Sequence, residues 1–344
     1  MAVQLQCAWN LESAMLLQGA VGIGMRTQCV PEGYKECEEI PELRCDSFTN
    51  TSAQSVVLIG YEGCDKIPNG HAFLREGFES MNKLAMPMDP INRGDPQRYK
   101  PIDWKSAAAI EFFGPGYKTG QFDVYRETIQ KNMDRLASTD SAFFLGWRLH
   151  VRCDDPKNEC SCFDGTETEA YTMHDDKYKD QINFCPRYFE LKSLEQAVHA
   201  DKKDQKNFDV IKKYWNRSCV WAHEILHVSW LGTPANPIWP YMQDQQIEKG
   251  GIWWRAYRVL DVKYLAYSRK AQPWEAINNP QNYAFFALAN YVQEVKGFYP
   301  SAAMWWWPRD DPPDVPSVTS ANSGRRRCGE DMALDYAANR TSSV

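Results

Sequence analysis

Residues 221–230 read Trp-Ala-His-Glu-Ile-Leu-His-Val-Ser-Trp, and no other stretch limits the fold as tightly. Two histidines and a glutamate stand among apolar, helix-compatible residues, so the fold must pack a helix while satisfying three ionisable side chains. At about 100° per residue, positions four apart lie one turn above each other on the same face. His223 and His227 can therefore reach one metal ion, and neutral imidazole suits zinc. Glu224 sits at the edge of that face, placed to take a proton from metal-bound water rather than to bind the metal. Chance alone puts such a pentapeptide in about one chain in a hundred of this size. Two of only six histidines fall in it. The bland alternative is a helix whose histidines serve hydrogen-bond networks in a core.

The rest of the composition narrows the class. The 344 residues suffice for one large domain or two small ones, with 43% hydrophobic and 24% charged residues as in globular chains. A net charge of -6 argues against a basic face for nucleic acid. No apolar run reaches the roughly 18 residues of a membrane span, so no membrane partner is expected. Eleven cysteines, without the C-x-x-C pairs of a zinc ribbon, stand beside sequons at Asn50, Asn216 and Asn339. Together they favour a secreted, disulfide-bonded glycoprotein. Residues 14–25 make a poor signal peptide, with no Lys or Arg before them and a glutamate just upstream.

Periodicity gives an organisation. Ser55–Gly60 reads as a strand, and 142–151 and 182–186 as strand or hairpin material. Apolar spacing predicts helices over 71–84, 104–113, 122–136, 192–215, 219–230, 253–268 and 282–296, with Gly232 ending the one that carries the motif. Residues 232–251 read as a loop. The domain boundaries are a Cys-rich extension or leader over 1–53, one folded domain over 54–300, and a Pro/Ser/Arg-rich tail with the composition of disorder over 301–344. His71, His150, His174 and His199 lack ligand spacing and read as surface or hydrogen-bonded core residues. Trp305-Trp306-Trp307 reads as packing, and Arg325-Arg326-Arg327 as a solvated run.

Three segments carry a resemblance: Phe184-Cys185-Pro186-Arg187-Tyr188-Phe189, His223-Glu224-Ile225-Leu226-His227 and Asn282-Tyr283-Ala284-Phe285-Phe286-Ala287. Over about residues 54–296 the chain resembles the deuterolysin-like fungal metallopeptidases, the aspzincins, whose neighbours include the lysine-specific metalloendopeptidases. The resemblance implies an α+β, mostly helical, zincin-like fold with a small sheet and an active-site helix. It also implies an Asp as third zinc ligand and a Tyr assisting the oxyanion. A Cys185–Cys219 bridge and a packing role for Asn282 and Tyr283 beneath the site come with it.

The third ligand is where the chain departs from the family. The usual G-T-x-D followed by Tyr-Gly becomes Gly232-Thr233-Pro234-Ala235, with Ala235 where the Asp would fall, and Ala256-Tyr257-Arg258. Asp244, in a loop able to fold back on the metal, is the favoured substitute. Asp261, on a predicted helix, is the alternative, and Glu248 stands behind both. Cys219 is a poor ligand, because steps of four drift about 40° each around a helix. Tyr257 reads equally as an oxyanion donor or as packing beside Trp253 and Trp254. The expected function is a secreted, monomeric zinc metalloendopeptidase acting on protein or peptide substrates, with one Zn2+ and Glu224 as general base. The alternative is an inactive secreted module on the same scaffold that binds zinc or a partner.

Overall fold

The computed structural model describes residues 54–85, 101–114, 122–141, 146–160, 168–178, 180–199, 211–235, 239–249, 251–267 and 273–300. The expected extension and tail, the sequons at Asn50 and Asn339, and residues 305–307 and 325–327 lie outside them. Five strands form one sheet: β1 (Gln54–Glu62), β2 (Thr139–Ser141), β3 (Trp147–Arg152), β4 (Ala170–Met173) and β5 (Gln181–Phe184). Their order is β2-β1-β3-β5-β4. All pairs are parallel except β4 with β5, which puts an antiparallel strand at one edge. Parallel neighbours need long crossovers. Helices α1 (Gly70–Ala85), α2 (Ala107–Phe113) and α3 (Phe122–Ser138) fall between β1 and its parallel partners β2 and β3. The described residues are thus α+β, with a small mixed sheet.

The remaining helices are α4 (Pro186–Glu190), α5 (Leu194–His199), α6 (Arg217–His227), α7 (Val259–Tyr267), α8 (Pro273–Asn278) and α9 (Pro280–Lys296). α6, which carries the motif, packs against α1 and α9 and beside β4. Every one of its residues is buried. Trp221 meets Phe78 edge-on at 5.0 Å between ring centres and lies 4.6 Å from Phe184. Its indole N–H donates to the Leu74 carbonyl at 3.0 Å, and the Tyr188 hydroxyl donates to that of Phe73 at 3.1 Å. Gly77 permits this approach, since a Cβ there would stand 2.2 Å from Tyr188 Oη and 2.7 Å from Trp221 Cδ1. Beneath α6, Asn282 of α9 donates to the carbonyls of Phe112 (2.6 Å) and Val262 (3.1 Å), tying α2 to α7.

Several expectations need correction. The helix expected over 192–215 is, among the described residues, α5 followed by a 3-10 turn at Ile211–Tyr214. The helix expected over 253–268 begins only at Val259. Before it, β6 (Gln246–Lys249) and β7 (Ile252–Arg255) form a two-stranded hairpin with Gly251 at φ 80° in its turn. Ile252, Trp253 and Trp254 suit a pleated surface, which is why an apolar run readable at either period became a strand. The Cys185–Cys219 bridge is also overturned. Cys185 is bonded to Cys160 and Cys64 to Cys153, while Cys219 is a buried free thiol. Asn216, one of the three sequon positions, is fully buried and accepts from the Ser218 N–H as the N-cap of α6. In this fold it presents no glycan acceptor to solvent. No helix among the described residues is long and apolar enough to cross a membrane.

Candidate metal centre

The turn after α6 is built by close contact. A Cβ on Gly232 would sit 1.8 Å from the Leu226 carbonyl oxygen, so only glycine fits. Asn132 of α3 accepts from the Thr233 N–H and donates to its carbonyl, each at 2.9 Å, while Arg135 donates to the Leu231 carbonyl at 2.8 Å. Gly232-Thr233 therefore steers the backbone. The chain then returns through Met242, whose side chain is buried in the main core. The Met242 carbonyl accepts from His227 Nδ1–H at 2.8 Å, which turns Nε2 of that ring toward its neighbour.

Three donor atoms meet there. His223 Nε2 and His227 Nε2 are 3.2 Å apart. Asp244 Oδ1 lies 3.2 Å from the first and 3.4 Å from the second. Tetrahedral bonds of about 2.0–2.1 Å to one zinc ion require ligand atoms about 3.3 Å apart. The triangle therefore has the dimensions such an ion demands. Asp244 Oδ1 is buried and makes no well-formed hydrogen bond, as expected of an oxygen shaped for a cation.

No family model, curated protein or solved structure matches this chain. What the centre can do rests on its own geometry.

Glu224 stands outside the triangle, with Oε1 3.9 Å from His223 Nε2. The Thr172 hydroxyl, on edge strand β4, lies 2.8 Å from Glu224 Oε2 and 3.0 Å from its backbone oxygen. That contact holds the carboxylate beside the two imidazoles, where a Glu224 oxygen lies within 4.8 Å of both and could itself reach an ion held by them. His223, Glu224 and His227 all keep a few percent of their surface in contact with solvent. Gln281 of α9 lies close enough to act on the His223 ring, whose Nδ1 is buried and makes no well-formed hydrogen bond.

Electrostatics follow from the crowding. Burial alone would raise the Asp244 carboxyl, but the two adjacent imidazoles outweigh it and hold the group well below the usual carboxylate range. Burial alone would lower His223, yet the Asp244 charge beside it pushes the imidazole up to about 9.

The other candidates lie elsewhere. Asp261 is buried, not solvated, and takes the Arg258 guanidinium at 2.9 and 3.2 Å. Glu248 is exposed on β6 opposite Trp253. Tyr257 is brought to the centre, and its hydroxyl donates to Asp244 Oδ2 at 2.6 Å. Sequence reasoning missed Arg255, whose Nη1 lies 2.6 Å from Tyr257 Oη and 3.4 Å from Asp244 Oδ2. Reading residues 252–257 at period two would have put Arg255 and Tyr257 on one face. It also missed Thr172 and His174. His174 stacks on Tyr241 at 3.6 Å and lies 6.3 Å from His227, ring to ring. Both sit at the end of β4 and carry no spacing signal. Of the other expected bystanders, His71 and His199 are exposed beside Asp65 and Glu195, and His150 is paired with Glu62 at 2.6 Å.

Proposed function

We propose that this chain is a zinc-dependent metalloendopeptidase of the aspzincin kind, in which Asp244 replaces the Asp missing from the G-T-x-D segment. The observation that carries the reading is the triangle of 3.2, 3.2 and 3.4 Å among His223 Nε2, His227 Nε2 and Asp244 Oδ1, with Glu224 just outside it. Zinc held by these three would supply Lewis acidity, polarising a peptide carbonyl and lowering the pKa of water to ~7. Glu224, fixed by Thr172, accepts the proton of the attacking water and passes it to the leaving amine. β4, the antiparallel edge strand beside α6, gives an extended peptide a place to lie along the site. All three donors come from one chain, so a monomer suffices. The two disulfides agree with an oxidising, secreted destination.

Zinc titration and a peptide-library assay on the wild type and on Glu224→Gln test the reading. One zinc per chain in both proteins is expected, with hydrolysis falling about 10²–10⁴-fold in the variant. A chain that takes up no zinc, or a variant that cleaves as well as its parent, overturns the proposal. Tight zinc without turnover in the wild type favours the non-catalytic module.

A further inference from the structure

We propose that Tyr257 is a positioning residue for the third metal ligand rather than an oxyanion donor, and that Arg255 locks it in that role. The inference rests on the zinc reading above and assigns different work to the residue that the resemblance casts as an oxyanion group. A phenol has one O–H to give. That of Tyr257 goes to Asp244 Oδ2 at 2.6 Å, and its oxygen takes an N–H from Arg255 Nη1 at the same distance. The same Nη1 stands 3.4 Å from Asp244 Oδ2.

The two oxygens of Asp244 thus have separate duties. Oδ1 faces the two imidazoles, and Oδ2 is gripped from behind by a phenol and a guanidinium. A hydroxyl that left Oδ2 for a substrate would abandon the ligand during the reaction. The hairpin makes the clasp a built feature. β6 begins two residues after Asp244, β7 ends at Arg255, and Arg255 lies opposite Gln246 in the register. The Ala256 N–H donates to the Gln245 carbonyl at 2.8 Å, closing the hairpin's base beside the carboxylate. Outer partners of this kind set metal affinity by orienting the ligand, typically by 10–100-fold.

The test measures zinc dissociation constants by competition with a chromophoric chelator, alongside kcat at saturating zinc. It compares the wild type, Tyr257→Phe, Arg255→Met and the double variant, each checked for metal-free melting temperature. Each single change should weaken zinc binding about 10–100-fold. The double variant should be scarcely worse than the weaker single one, because both act through one carboxylate. The oxyanion role instead predicts unchanged zinc affinity with a ~10²–10³ loss of activity in Tyr257→Phe. Tyr257→Phe binding zinc as tightly as the parent overturns the inference, whatever its activity. If that variant melts early, Arg255→Met decides by the same criterion. A wild type that takes no zinc refutes the peptidase reading itself. A wild type that binds and cleaves beside an unaffected Tyr257→Phe sinks only the clasp.

Discussion

His223 and Asp244 bring opposite charges to one buried point, and the pH response of the metal-free chain follows from the signs. His223 has a folded-state value near 9 against an ordinary 6.5, so its contribution is full below 6.5 and lost as pH rises through 9. Asp244 is depressed, so its contribution is present above its ordinary value of 3.8 and lost as pH falls below it. The melting temperature of the metal-free chain should therefore decline between pH 6.5 and 9. Zinc bound as proposed would compete with the proton on His223, so its apparent affinity should climb across the same window. Calorimetric scans with and without chelator check both slopes. A melting temperature that rises over this window in the metal-free chain would show that the pair is not formed.

At the scale of elements, the motif helix was legible because its information is local. Four-residue spacing puts His223 and His227 on one face whatever surrounds them, and α6 is there. Asp244 was legible only as one of three carboxylates. What singles it out is the Met242 carbonyl bonded to His227 and the hairpin behind it, and no local period encodes either. The hairpin was misread because Ile252, Trp253 and Trp254 lead into the apolar residues of α7 with only Arg255 and Arg258 interrupting and no Gly or Pro to mark a boundary. Cysteine pairing is likewise a property of the fold. The loop carrying Cys160 folds onto β5, while Cys219 turns into the core, so the pairing inferred from the resemblance failed. Nor could spacing reveal that Gly77 is the contact point between α1 and α6. Substituting Gly77→Ala drives a methyl into Tyr188 and Trp221, and overpacking of this kind costs about 1–3 kcal/mol. Chemical denaturation should register that loss. Unchanged stability would mean that α1 can shift away, in which case zinc affinity should change instead.

Across the whole molecule, the centre lies between two clusters of apolar side chains that share α7 and α8, since Val262 and Ile277 of those helices pack in the larger one. α6 belongs to the main core, with Trp221, Leu226 and Met242. The hairpin after Asp244 leans on a smaller cluster of Ile247, Ala256, Tyr264, Leu265, Ala266 and Ala276. Histidines from the first and a carboxylate from the threshold of the second converge on one point, so an ion held as proposed would act as a dowel through the seam between them. Stripping it should leave the large body tight while the small one loosens. Amide exchange should then quicken across residues 244–257 and stay slow along 220–226, as deuterium uptake by mass spectrometry would show. The hinge of any such breathing would fall at Met242, the last residue before Asp244 that is anchored in the larger mass.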